Sequence, residues 1–228
     1  FGKSLEAAPD WNISRNRYWA TALPFWKCDN ESCKDVVCVG SVEEMLAKAT
    51  NFYEVYPKYT QENLEALDLH RPYIDEIKLS CEKCKATMTR VPEVVDCWVE
   101  SASMPFAELH YPFENKDLFT NRFPADFVAE YIAQTRAWFY VMHVMSGTIF
   151  DREPFRHVVT TGNILAEDGS KMSKSKKNYP DPWVLIEKYG IDVVRFYLLS
   201  CPVMNGDDIN FSEKQVMVTA IYANEATG

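Results

Sequence analysis

Four lysines fall within seven residues of the run Ala166-Glu167-Asp168-Gly169-Ser170-Lys171-Met172-Ser173-Lys174-Ser175-Lys176-Lys177-Asn178. In a chain of formal charge −9, that concentration of cations reads as an anion site. The glycine and serines around it let the backbone approach a polyphosphate closely. A solvated basic loop is the plainer alternative, and the order Lys-Met-Ser-Lys-Ser weighs against it. A second constellation is made of thiols. Cys28-x4-Cys33 and Cys81-x2-Cys84 set two short-spaced pairs at either end of a long loop, the arrangement of a zinc ribbon in which four thiolates hold one tetrahedral Zn2+. Cys38 is an alternative to Cys33, and reduced, metal-free thiols are the competing reading. A small polar module gains a staple from the metal. Cys97 and Cys201 fall in strand and helix patterns and read as core residues. His70, His110, His143 and His157 join no nucleophile or general base and read as structural.

The elements that must hold these groups alternate between helix and strand. Ser41 with Glu44 forms a capping box that opens a helix over 42–49, and Ser212 with Gln215 repeats it for the last helix. Asp181, Pro182 and Gly190 bracket another helix, with one more over 192–199. The run 134–149 is apolar on nearly every face and predicts a helix buried in the main domain. Short apolar runs over 94–99, 126–131 and 157–161 predict strands. That alternation favours a parallel α/β sheet, whose ligands gather at the carboxyl ends of its strands.

Composition narrows the classes. Apolar residues make up 47% and charged residues 25%, which excludes disorder, collagen and coiled coil as the main architecture. Seven cysteines are too few for a disulfide scaffold, and bulk charge gives no support to nucleic-acid binding, so any RNA contact must come from a local patch. The longest apolar stretch, 137–150, contains His143 and is too short to span a bilayer, so no membrane association is expected. The start, Phe1-Gly2-Lys3-Ser4, has neither an initiator Met nor a signal-peptide core, and is expected to be a cut from a longer, cytoplasmic chain. Three glycosylation-type triplets, at Asn12, Asn30 and Asn210, have no secretory context and are discounted.

The lysine loop resembles the nucleotide-binding signature of the class I aminoacyl-tRNA synthetases, and three further segments extend the likeness, in order, along most of the chain. Trp11-Asn12-Ile13-Ser14-Arg15-Asn16-Arg17-Tyr18-Trp19 resembles the segment after the family's editing insertion. Val95-Asp96-Cys97-Trp98-Val99-Glu100-Ser101-Ala102-Ser103-Met104-Pro105 resembles its next signature, and Glu130-Tyr131-Ile132-Ala133-Gln134-Thr135-Arg136-Ala137-Trp138-Phe139 its substrate-contact segment. Lys188 to Arg195 is similar to the helix start beyond the loop. Trp98 and the Gln-Thr-Arg-Ala-Trp run point to the isoleucine branch, with valyl and leucyl relatives as rivals.

The resemblance implies activation of isoleucine by ATP with Mg2+, then transfer to tRNA(Ile). Trp98 and Trp138 are implied as walls of the amino-acid pocket, and Glu130 and Gln134 as contacts to the adenylate, on one face if the turn between them is helical. Gly162, Asn163, Lys171, Met172, Ser173, Lys174 and Ser175 are implied for ATP. Lys171, Ser173 and Lys174 would act in catalysis by stabilising the leaving pyrophosphate. Two departures stand out. Tyr131 and Ala133 occupy places where the family has Gly and Asp, so its ribose carboxylate is absent, and no His-x-Gly-His pattern is present.

The expected fold is therefore α/β: the second half of a Rossmann-type class I synthetase catalytic domain, with a small zinc-ribbon-like insertion and a helical C-terminal extension. The expected segments are 1–26 after the editing insertion, 27–90 as the zinc module, 91–200 as the half-domain with the lysine loop, and 201–228 as the start of a tRNA-binding helical region. The partners are isoleucine, ATP, tRNA(Ile) and the remainder of the synthetase chain, without which activation is expected to be slight. A non-catalytic, zinc-stapled tRNA- or protein-binding module is the reading from another class.

Overall fold

Short strands of alternating burial around the first thiols become a four-stranded antiparallel sheet in the order β3-β2-β5-β4, formed by β2 (Phe25–Cys28), β3 (Val36–Cys38), β4 (Lys78–Ser80) and β5 (Thr87–Arg90). The computed structural model describes residues 2–60, 62–63 and 66–227; Phe1 and Gly228, the ends of the first and last expected segments, lie outside the described residues. Two units result, one over residues 7–104 and one over residues 105–227 together with α1 (Gly2–Glu6).

In the first unit, α2 (Val42–Lys48) starts as its sequence dictates. Ser41 accepts from the Glu44 amide at 3.1 Å, and Glu44 reaches back to the Gly40 amide at 2.7 Å. Met45 of α2 and Phe52 of α3 (Phe52–Val55) join Trp26, Tyr56, Ile77, Leu79 and Met88 in one buried cluster. Trp26 is 1% exposed, and its indole N–H donates to the Ile77 carbonyl at 2.9 Å. A separate antiparallel pair, β1 (Ser14–Arg15) with β6 (Val94–Val95), leads into α4 (Cys97–Ala107).

The second unit holds β7 (Ala125–Tyr131) and β8 (Phe155–Thr161), parallel and joined through α6 (Trp138–Phe150). Phe150 packs with Phe106, Tyr111, Phe119 of α5 (Lys116–Arg122) and Phe123, and Phe139 meets Phe155 at a ring separation of 5.8 Å. Beyond β8, β9 (Ile164–Leu165) pairs in parallel with the distant β10 (Ile209–Asn210). Three helices follow the loop: α7 (Pro182–Tyr189), α8 (Ile191–Ser200) and α9 (Glu213–Thr227). Asp181 caps α7 by accepting from the Trp183 amide at 2.9 Å, and Gly190 ends it at φ +85°.

Three expectations change. The strand predicted over 94–99 stops at Val95, because the Asp96 carboxylate accepts from the Trp98 amide at 3.3 Å and starts a helix instead. The helix predicted over 134–149 begins at Trp138 after a 3-10 turn over Ile132–Arg136, since the Gln134 side chain accepts from the Trp138 amide at 3.0 Å. Nor is it buried all round: Gly147, Thr148 and Ile149 are exposed. Cys97 is exposed and Cys201 half-buried, so neither is the core residue its pattern suggested.

Gly162 and Asn163 join β8 to β9, and the glycine is required there. The Gly162 amide donates to the Val203 carbonyl at 2.8 Å, and a Cβ there would sit 2.0 Å from the Asp207 carbonyl oxygen. The obstacle is backbone, which cannot swing aside. Gly162→Ala should therefore destabilise the chain by about 1–3 kcal/mol, read as a lower midpoint in chemical denaturation.

Candidate functional site

Strand register puts part of the candidate site in one place. Glu130 lies opposite Thr160 and Tyr131 opposite Thr161, so the carboxyl ends of β7 and β8 coincide. Gly162 and Asn163 follow directly, at the end where a parallel sheet receives ligands. Glu130 is exposed, and its carboxylate accepts from the Tyr131 amide at 2.9 Å. Gln134, expected to share a helical face with Glu130, instead follows a strand end and uses its oxygen to cap α6, which fixes where Trp138 begins that helix. Asn163 donates from its backbone and side-chain nitrogens to Asp208 at 2.7 and 2.9 Å. These bonds hold the Asp208 carboxyl below the usual range.

From β9 the chain enters the lysine loop. Gly169 turns at φ +79°, and the Ser170 amide donates to Asp168 at 2.9 Å. Lys171 and Lys174 are exposed, and among the described residues no carboxylate lies within 4 Å of either ammonium group. The loop owes its shape to Asn178, a residue with no assigned role in the sequence reading. Its oxygen accepts from the Ser173 amide at 2.9 Å, and its nitrogen donates to Ser170 Oγ at 3.0 Å and the Lys171 carbonyl at 3.1 Å. Ser173 Oγ meets Ser175 Oγ at 3.2 Å, and Met172 is half-buried. Under the loop is a hollow of about 270 Å³ lined in part by Met172, Lys177, Asn178, Tyr179 and Phe211. A larger hollow of about 560 Å³ belongs to the other unit, beside Lys27, Cys28 and Arg90.

In the Ala7–Met104 unit, the four thiols converge. The sulfurs of Cys28, Cys33, Cys81 and Cys84 all lie within 4.8 Å of one another, with Cys28 and Cys84 3.4 Å apart and Cys33 and Cys81 3.7 Å apart. A tetrahedral Zn2+ with bonds of about 2.3 Å sets its sulfurs about 3.8 Å apart, so the donor set fits that ion. Cys38, in β3, pairs with Phe25 of β2 and stands outside the group. Each pair sits on a turn. Lys34 and Lys85, the residues after Cys33 and Cys84, have φ of +52° and +62°. The Cys28 amide donates to the Asp35 carbonyl at 2.8 Å, and the Cys81 amide to the Ala86 carbonyl at 2.9 Å. Burial pushes the Cys28 thiol up to about 12, whereas hydrogen bonding from the Ala86 backbone, then from Cys28, lowers Cys84 to about 7. A divalent cation bound by the four sulfurs would replace their protons.

Trp98, 37% exposed, opens α4 in the same unit, on the cap that Asp96 makes. Asp96 was no candidate in the sequence because it lay inside an apolar run, yet it is 3% exposed and central. Trp11 donates to it at 3.0 Å, Arg15 pairs with it, and its own amide donates to the Ile13 carbonyl at 2.7 Å. Burial raises its carboxyl, but the bonds from Trp11 and Trp98 and the Arg15 charge outweigh that and hold it low.

The comparisons with known proteins agree with one another. The family model described as "tRNA synthetases class I (I, L, M and V)" matches residues 1–212. The isoleucine–tRNA ligase of Treponema denticola is 45% identical over 95% of this chain and 18% of its own length. That of Protochlamydia amoebophila is 48% identical over 95% and 19%. The mouse isoleucine–tRNA ligase, cytoplasmic, is 47% identical over 95% and 16%. The chain thus spans less than a fifth of the length of these relatives. Among solved structures, the ternary complex of Agrobacterium radiobacter K84 LeuRS with tRNA and LeuAMS is similar with a TM-score of 0.67 at 22% identity, over 96% of this chain and 28% of that one, which is a likeness of fold.

The Asp96 junction yields a test with a sign. Its depressed carboxyl contributes stability above about pH 4, lost as pH falls through the lower folded value. Asp96→Asn should cost about 1–3 kcal/mol at pH 7, and the deficit against the unmodified chain should shrink as both are titrated into acid. Denaturant melts at a series of pH values measure it.

Proposed function

The chain belongs to the class I tRNA synthetases of the I, L, M and V group, with their mixed α/β catalytic fold, and from that premise we propose that it is the segment of an isoleucine–tRNA ligase that meets the ATP phosphates and the adenylate. One observation carries this reading: Glu130, Gly162 and Asn163 share the carboxyl end of a parallel strand pair, and the next loop presents two unneutralised lysines.

The chemistry is the attack of the isoleucine carboxylate on the α-phosphorus of ATP. A carboxylate oxygen–phosphorus bond forms, the α–β phosphoanhydride bond breaks, and pyrophosphate leaves. The nucleophile is already anionic, so no protein base is required. Charge grows on the departing phosphates, and Lys171 and Lys174 are the groups proposed to neutralise it, with Mg2+ accompanying ATP as substrate. Ser173, Met172 and Ser175 shape that loop, and Glu130 and Gln134 are proposed to face the adenylate. Trp138 is proposed as a flat apolar wall for a branched side chain, the role that the resemblance also implies for Trp98. Transfer to tRNA(Ile) follows in the whole enzyme. A cytoplasmic location matches the name of the mouse relative.

The remainder of the synthetase chain is the first partner. Parallel strands are ordinarily covered on both faces, yet Phe127 is 63% exposed on β7, and Val158 and Val159 are exposed on β8. Such a pair calls for further strands and helices. Cys28, Cys33, Cys81 and Cys84 are proposed to hold a structural zinc, which would close the two turns of the module and take no part in the reaction. The second reading is an RNA-binding segment without catalysis, favoured by Tyr131 and Ala133, which leave no carboxylate between Glu130 and Gln134.

Two measurements check these assignments. Metal analysis should find about one zinc per chain, lost on Cys81→Ser; protein prepared without chelator and free of zinc contradicts the metal assignment. In the complete enzyme, Lys174→Ala should slow adenylate formation on the order of a hundredfold while leaving the isoleucine KM near its starting value. A loss confined to tRNA affinity favours the second reading.

A further inference from the structure

Lysines that must neutralise a growing charge gain from being placed in advance, and the loop that carries them has no strand partner to place it. One carboxamide makes three of the bonds that hold it. Asn178 is half-buried, and both polar atoms of its side chain bond back into the loop: the oxygen takes the Ser173 amide at 2.9 Å, and the nitrogen reaches Ser170 Oγ at 3.0 Å and the Lys171 carbonyl at 3.1 Å. The intervening residues are folded for this return. The Lys177 amide donates to the Ser173 carbonyl at 3.0 Å, the Lys176 amide to Ser173 Oγ at 3.2 Å, and Lys177 adopts φ +50° to turn the chain inward. The backbone of Lys171 and the residue preceding Lys174 are therefore tied to one side chain.

We propose that Asn178 is the positioning residue of the lysine loop, fixing Lys171 and Lys174 in the spacing they present to a polyphosphate; this rests on the reading that the loop receives the phosphates of ATP. The donor–acceptor pattern is specific to an amide. A carboxylate keeps the acceptor for the Ser173 amide but sets an oxygen against the Lys171 carbonyl, and alanine loses all three bonds.

The test uses the chain itself, digested briefly with trypsin while mass spectrometry follows cleavage after Lys171, Lys174, Lys176 and Lys177, with inorganic tripolyphosphate as the probe. Cleavage tracks the population of opened loop, so Asn178→Ala should be cut there about tenfold faster, with its thermal midpoint unchanged, and Asn178→Asp should fall between. Half-protection by tripolyphosphate should need about tenfold more of the anion in Asn178→Ala. Wild-type cleavage rates in Asn178→Ala, or equal protection at equal tripolyphosphate, overturn the proposal. If cleavage differs but tripolyphosphate protects neither form, the polyphosphate reading fails while Asn178 keeps its hold on the loop. Hydrogen exchange in the unsubstituted chain is a second measurement should a variant fail to fold: a protected Ser173 amide supports the proposal, and exchange at the coil rate overturns it.

Discussion

Two ammonium groups without carboxylate neighbours have to be held ready in a loop that lacks regular structure, and the surrounding unit is arranged to meet that demand. The loop leaves from β9, which is held to β10 across a long stretch of sequence, and the Ile209 amide donates to the Asn163 carbonyl at 2.9 Å beside that pairing. The same junction needs Gly162, because the backbone at Asp207 occupies the space of a side chain. At the far end of the loop Asp181 starts α7, and Lys188 and Tyr189 at its close both bond Glu213 of α9, at 2.7 and 2.9 Å. Loop entropy is thus reduced from both ends and from within by Asn178. The lysines remain extended toward solvent, where a polyanion can reach them.

A different constraint shapes the thiol-bearing unit. Four sulfurs within 4.8 Å cannot all be thiolates without a cation, and two of them are also part of the buried apolar cluster around Trp26 and Met88. The turns that carry them differ in length, yet each is followed by a lysine of positive φ, and Lys83 with Asp35 at 2.7 Å ties one turn to the other. Cation and core would then be mutually supporting.

Features set by neighbours in sequence were readable there. The Ser41 capping box, the Asp181-Pro182 start, the apolar runs of β7 and β8, the thiol spacing and the lysine loop each depend on residues a few positions apart. What escaped depends on distant contacts or on a polar cap that pattern does not show. Asp96 was hidden in an apolar run because its partners Trp11 and Arg15 lie far back in the chain, and its bond from the Trp98 amide turns the expected strand into α4. The start of α6 was placed early because the polar cap from Gln134 cannot be told from a helical residue by pattern alone. Asp208, with its two bonds from Asn163, had no sequence signal at all.

The account turns on whether this segment can complete an isoleucine-activating site. The direct measurement is isoleucine-dependent ATP–pyrophosphate exchange by the Treponema denticola relative carrying this chain in place of its own matching segment, since the two are 45% identical over that stretch. The account predicts exchange stimulated by isoleucine and abolished when Lys171 and Lys174 are both replaced by alanine. A chimera that folds yet shows no exchange above the amino-acid-free background, or exchange indifferent to both lysines, would contradict it.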